Sequence, residues 1–258
     1  MEQHHQLILR LKRLRLSGVL ETLDVRNEQA VDGQWTYIEF LMRLLEDEIT
    51  RRDQKQLALR IRRAAINTTK TLEGYDFDFN PQLQRQQILD LATCNFIHRK
   101  RNVLICGPTG VGKTHLAQAL AHQACRQGFR VLFVNTYKML QHLNGGRADG
   151  TFERRMQTYL RPDLLVWDDF GLKPLHPPAP EDLYDVISGR YERGSILLTS
   201  NRDLTEWPEL FNAPLLASAG LDRLTHNAHV VIVKGRSYRA HGAAKTHATQ
   251  GGAQIGNA

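Results

Sequence analysis

The 258 residues carry 34 Lys and Arg against 27 Asp and Glu, a formal charge of +7, and 41% of them are hydrophobic. That composition describes a globular chain with room for one large domain and a small one, and it excludes the disordered and membrane classes. No apolar run approaches the roughly 18 residues of a membrane helix, and Met1–His5 lacks the basic and apolar regions of a signal peptide, so the expected compartment is the cytoplasm, with no membrane partner. Cys94, Cys106 and Cys125 form no C-x-x-C and read as reduced, buried thiols rather than disulfides or zinc ligands. Of the cationic residues 25 are Arg and 9 are Lys, and a guanidinium fork suits phosphate oxygens, which tilts the expected partners towards phosphate-rich ones.

In chain order, residues 5–70 read as helical. Leu7, Leu11 and Leu14 recur at helical spacing, Gly18 interrupts, and Ile38, Leu41, Leu45 and Ile49 resume the pattern after the Asp32-Gly33 turn signal. From Arg51 to Ala65, Leu57, Ile61 and Ala64 share one face; Arg51, Lys55 and Arg62 share another, with Arg52 and Arg63 a quarter-turn away. Gly74, Asn80 and Pro81 then break the periodicity, which places a junction between a helical interaction domain over 1–75 and a second domain over 76–239. In that second domain the runs 102–106, 131–134, 164–167, 196–199 and 230–233 are apolar without alternation. Such strands are covered on both faces, so the expected fold is α/β with a parallel five-stranded sheet between helices. The tail 240–258, whose one large apolar residue is Ile255, is expected to be disordered.

The strongest motif is Gly107-Pro108-Thr109-Gly110-Val111-Gly112-Lys113-Thr114, a G-x-x-x-x-G-K-[ST] loop between an apolar strand and a helical run. Its glycines let backbone amides surround phosphate oxygens, Lys113 neutralises the β- and γ-phosphates, and the Thr114 hydroxyl suits Mg2+. ATP and Mg2+ are therefore the expected ligands. The run ending in Asp168-Asp169 delivers two carboxylates where α/β sheets place ligands: Asp168 to hold the Mg2+ hydration shell, Asp169 to act as base towards water. Asn201, after the fourth run, suits orientation of that water but is also ordinary turn chemistry. Arg223 reads as a surface ion-pair residue or, in a ring or spiral, as a group reaching a neighbour's γ-phosphate. His226 and His229 read as structural rather than as metal ligands.

With these elements in order, the chain resembles AAA+ ATPases of the initiator and helicase-loader group, and most closely the IstB family, transposition helpers related to the helicase loaders of the DnaC type. The resemblance rests on LRLSG at 14–18, TLE at 71–73, GPTGVGKTHLA at 107–117, DDFG at 168–171, LTEW at 204–207, LDRLTHNA at 221–228 and GRSYR at 235–239, and covers about residues 5–240. It implies ATP-dependent assembly of a homo-oligomer on duplex DNA, target selection and stimulation of a cognate transposase, with Arg223 as arginine finger and Asn201 as sensor. Two features depart from many AAA+ proteins: Asp169 stands where Glu is common, and no helical lid follows the last strand, which leaves Arg236 or Arg239 as substitutes for a second sensor. Candidate backbone contacts to DNA are Arg51, Arg52, Lys55, Arg62 and Arg63, and Lys138, Arg147, Arg154 and Arg155 between the second and third strands. A helicase loader and a small-molecule P-loop kinase are the alternatives; no acceptor-binding segment for the latter is evident.

Overall fold

The computed structural model describes residues 2–211 and 213–238, so the tail 240–258 and Arg239 lie outside the described residues. The chain divides into two compact units, Met1–Leu59 and Arg60–Ala258, upstream of the boundary expected at 75.

The first unit holds α1 (Glu2–Arg13), α2 (Ser17–Asp32) and most of α3 (Tyr37–Ala64). The break before α2 lies at Arg15, which takes φ 57°, and Gly18 sits inside the helix rather than ending one. Gly18 is small for a different reason: a Cβ there would stand 2.6 Å from Glu48 Cα of α3. At that close approach the Gly18 and Val19 amides donate to Glu48 Oε2 at 2.5 and 3.3 Å, so a buried carboxylate satisfies the free donors of a helix start. Arg26 forks onto Asp47 at 2.7 and 2.8 Å, which ties α2 to α3 and holds the Asp47 carboxyl down at about 2. Around these pairs Leu11, Val19, Leu23 and Leu44 form a small core.

The inward face of α3 is thus that of Leu44 and Glu48. The periodic set Ile38, Leu41, Leu45 and Ile49 is 45–73% exposed instead of buried, because the Glu48 bonds select the neighbouring face. Leu7 and Leu14 are likewise exposed, and of that trio Leu11 alone is buried.

In the second unit five parallel strands pair in the order β2-β3-β4-β1-β5: β1 (Val103–Cys106), β2 (Val131–Asn135), β3 (Leu164–Phe170), β4 (Ser195–Ser200) and β5 (His229–Ile232). The helices are α4 (Arg85–Ala92), α5 (Asn95–His98), α6 (Lys113–Arg126), α7 (Thr136–Ala148), α8 (Phe152–Leu160), α9 (Ala179–Arg190) and α10 (Pro214–Thr225). Alternate strand residues Leu104, Cys106, Leu165, Trp167, Ile196 and Leu198 pack with α7, α8, α9 and α10 in one core, while α6 packs on the strands from the other side. Each fully buried Leu or Val there contributes about 1.5–3 kcal/mol, which is why runs without alternation identified the strands. Burial pushes the free thiol of Cys94 up to about 12 and those of Cys106 and Cys125 to about 11, so all three are inert packing groups.

Candidate nucleotide-binding site

The loop Gly107–Thr114 turns from the buried end of β1 into α6, with Gly107, Gly110 and Gly112 at φ 152°, 86° and 99°, conformations that disfavour any side chain. A Cβ on Gly107 would collide with the Val233 carbonyl oxygen, and one on Gly112 would stand 3.1 Å from Tyr75 Oη. The backbone is therefore packed tightly at a helix N-terminus, where amides and the helix dipole favour phosphate. Lys113 is buried and its Nζ donates to the Pro108 carbonyl at 2.8 Å, which folds the ammonium across the loop.

The carboxylates meet the loop through hydroxyls. Asp168 Oδ1 accepts from Thr114 Oγ1 at 2.9 Å and from Thr199 Oγ1 of β4 at 2.6 Å, and the Thr199 oxygen in turn accepts the Asp169 amide at 3.0 Å. Burial pushes the Asp168 carboxyl above its usual range, the Thr199 hydroxyl pulls it back, and the Asp169 charge pushes it up again. Both aspartates lie within β3, which runs past the expected Leu164–Trp167. The strand pairing slips between Trp167 and Phe170, and Asp169 adopts φ 58°, so a bulge turns that carboxylate out of the sheet. Its Oδ2 accepts from Asn135 Nδ2 at 3.2 Å, while Asn135 Oδ1 caps α7 through the amides of Tyr137 and Lys138. The pair of Thr114 hydroxyl and Asp168 carboxylate is a hard-oxygen donor set beside a phosphate cradle, which fits Mg2+ chemistry.

Beside the loop lies a cleft of about 560 Å3 lined by Thr109–His115, Asp169 and Asn201, with Asp168 behind Thr114. Its other wall is the segment expected to be a domain junction: Thr69, Lys70, Tyr75, Phe79 and Asn80 all line it. That segment is pinned to the loop. Asn80 Nδ2 donates to the Val111 carbonyl at 2.8 Å, His115 Nε2 lies 3.1 Å from the Thr71 carbonyl, and the Tyr75 and His115 rings meet edge to face. From the C-terminal side the Tyr238 amide donates to the Gly110 carbonyl at 2.9 Å, and Tyr238 closes the cleft.

A model of the IstB-like ATP binding proteins matches residues 9–246. The chain belongs to the IstB family. An ATP-binding protein in an insertion sequence of Mycobacterium tuberculosis is 42% identical over 230 residues, 89% of this chain and 92% of that one. Among solved structures, AMPPCP-bound DnaA from Aquifex aeolicus shares the fold with a TM-score of 0.57 at 20% identity, over 75% of this chain and 59% of that chain. The DnaC helicase loader does so with a TM-score of 0.50 at 23% identity, over 58% of this chain and 90% of that one. The IstB-family chain is thus an insertion-sequence ATP-binding protein of the AAA+ fold, with the apparatus of an ATPase.

Not every expected residue of this IstB-family protein joins the cleft. Arg223, near the end of α10, is absent from its walls; its Nη1 donates to Tyr184 Oη at 3.0 Å and the Ala219 carbonyl at 3.3 Å. Arg236 is exposed and also stands outside the lining. Several expected DNA contacts are engaged in ion pairs within the chain. Arg51 pairs with Glu21 and Arg52 with Glu48 inside the first unit. Arg147 forks onto the fully buried Asp182 of α9 at 2.5 and 2.7 Å, and Arg155 is held by Asp149 and the His142 carbonyl. Lys55, Arg62, Arg63, Lys138 and Arg154 remain exposed. Thr199, Asn135, Tyr75 and Asn80 are not among the site residues expected from the sequence; the available signals are a hydroxyl two residues before Asn201 and an amide directly after the second apolar run.

Proposed function

We propose that this IstB-family ATPase assembles in its ATP-bound form on duplex DNA as a ring or spiral and there serves as helper to a cognate transposase. The observation that carries the reading is the chain of bonds from Thr114 through Asp168 and Thr199 to the Asp169 amide, in a cleft whose only cationic side chains are Lys70 and Lys113 among the described residues. Gly107–Thr114 cradle the phosphates and Lys113 offsets their charge. Thr114 and Asp168 would hold Mg2+, which would supply further charge neutralisation to the phosphates. Asp169, turned out of its strand, accepts the proton of the attacking water, and Asn201 orients that water. Charge on the γ-phosphate would then be left short of a partner within one chain, which supports a guanidinium arriving from a second copy, with Arg223 in that role.

Lys55, Arg62, Arg63, Lys138 and Arg154 offer sequence-independent contacts to a phosphate backbone, with binding that weakens steeply with salt. Cytoplasmic residence goes with this role; no helix of the described residues is long and apolar enough to cross a membrane. The test is the mass of the full chain by light scattering with ATP, ADP or a non-hydrolysable ATP analogue, each with duplex or single-stranded DNA of equal length. Assembly on duplex with the triphosphate forms alone is the expected result. A monomer under all conditions, or assembly on single strands only, would contradict it, the latter in favour of helicase loading.

A further inference from the structure

The strands β5, β1 and β4 are adjacent and parallel, so their starts form a second surface at the opposite edge of the sheet from the nucleotide loop. Five residues of chain lie between Arg101 at that edge and Gly107 at the other, a span of about 20 Å when extended. A cleft of about 410 Å3 opens there, and its charged lining is Arg99, Lys100, Arg101, Arg190 and Arg223 against the single carboxylate of Glu192. Arg99, Lys100 and Arg101 take no side-chain ion pair or hydrogen bond among the described residues, whereas the 1% exposed Arg190 spends its guanidinium on five backbone carbonyls. The buried cation and the others thus add to one positive field, offset only in part by Asp163, which acts on Arg190 and Lys100, and by Glu192.

The cleft is also rigid. Lys100 takes φ 55° and the Arg101 amide returns to the Phe96 carbonyl at 2.8 Å, which fixes the turn after α5. Next to it the buried Asn102 staples the edge together. Its Nδ2 donates to the Leu224 carbonyl beside Arg223 at 2.9 Å, its Oδ1 accepts the Ile196 amide at 2.8 Å, and its own carbonyl accepts the His229 amide at 2.8 Å. Starts of β1, β4 and β5 and the end of α10 are therefore held in one frame, and the basic turn is preorganised with Arg223 rather than floating on solvent.

We propose that Arg99, Lys100 and Arg101 form, with Arg223, a receiving site for the triphosphate of the nucleotide carried by a second copy of this chain. The proposal rests on the ATP-site reading above and deepens it by naming residues and partner. One copy presents phosphate at the carboxyl ends of β1 and β4; the next presents cations at the amino ends of the same strands. Surfaces at opposite edges of one sheet associate head to tail, and such heterologous contacts propagate into a ring or a spiral. The cleft beside the P-loop has no arginine of its own among the described residues, and this surface supplies what it lacks.

The test uses the full chain with duplex DNA and compares the parent with the Arg99→Ala/Arg101→Ala double variant. Affinity for a fluorescent ADP analogue, measured where the chain is monomeric, reports each copy's own loop and separates this proposal from the reading beneath it. The double variant is expected to keep that affinity, to lose about tenfold or more in ATP hydrolysis per chain, and to need higher protein concentration for nucleotide-dependent assembly. Mixing it with Lys113→Ala, which has an intact basic cleft and a disabled loop, should restore hydrolysis at the double variant's loops. Parental hydrolysis and assembly by the double variant, or no recovery on mixing, would overturn the proposal; so would loss of DNA affinity with hydrolysis retained, which would give the cleft to nucleic acid. Lys100→Glu, at an exposed position, carries the same test if the double variant does not fold. A parent that bound no ADP would overturn the underlying reading, and the proposal with it.

Discussion

The two units solve the problem of holding helices in opposite ways. In the second, strands such as Leu164–Trp167 are 0% exposed, the polar side chains of the sheet lie near the strand ends, and the buried Asp182 pairs with Arg147 between α7 and α9. In the first, Leu11, Val19, Leu23 and Leu44 form a small apolar core with half-buried Leu16, Leu20 and Phe40 against it, and charged side chains add the bonds that tie α2 to α3: Glu48 on the Gly18 amide and Arg26 on Asp47. The difference teaches where sensitivity should lie. A sheet sealed by apolar burial fixes the carboxylates and the nucleotide loop within narrow limits. A helical unit held by charge and by one glycine contact responds to pH and salt, and leaves an apolar stripe on α3 exposed.

The largest effect that would break this contrast is a cavity at the centre of the sheet. Leu104→Ala should cost about 2–5 kcal/mol. In a thermal melt followed by proteolysis, cleavage should spread through residues 60–238 while the first unit stays protected at temperatures where it is protected in the parent; equal loss in both units would show that they are not separately held. Next, Thr199→Val removes the hydroxyl that joins Asp168 to the Asp169 amide and should cost about 1–3 kcal/mol of transition-state stabilisation. Hydrolysis falls and ATP affinity stays within a few-fold; an equal fall in affinity would assign Thr199 to binding alone. Gly18→Ala forces α2 from α3 at a cost of about 1–3 kcal/mol, read as faster proteolysis within residues 17–59 at unchanged nucleotide affinity.

The smallest expected effect is a pH response. Asp47 titrates at about 2 in the folded chain against 3.8 ordinarily, so its pairing stabilises fully above the ordinary value and is lost as pH falls through about 2. Burial raises the Glu48 carboxyl, but Arg52 and the Gly18 and Val19 amides outweigh it and hold the group below its usual range, which adds a loss of the same sign. Amide exchange in α2 should therefore quicken between about pH 4 and pH 2 in the parent, with a smaller change in Arg26→Ala; identical profiles would remove the ion pair from the account.

The sheet and its glycine-rich loop were legible in the sequence because both are written locally: short apolar runs without polar alternation, bounded by breakers, fit doubly covered strands, and Gly107–Thr114 is a contiguous motif. What stayed hidden depends on partners distant in the chain. Gly74, Asn80 and Pro81 looked like a linker because they break helical periodicity, yet Asn80 folds back onto the Val111 carbonyl and the segment becomes a wall of the cleft. Arg147 and Arg155 looked like free cations until the fold brought Asp182 and Asp149 to them. On α3 the apolar period located the helix correctly, but its inward face was decided by a carboxylate, Glu48, that a hydrophobic pattern cannot weigh.

The account turns on one cleft, formed by the loop Gly107–Thr114 and closed by residues 69–80, as the ATP site. Calorimetric titration of ATP with Mg2+ into the parent, Lys113→Ala and Tyr75→Ala tests it most directly. One ATP per chain in the parent is predicted, with affinity at least about tenfold weaker in each variant and the larger loss in Lys113→Ala. Unchanged affinity and stoichiometry in Lys113→Ala would contradict the assignment of the cleft.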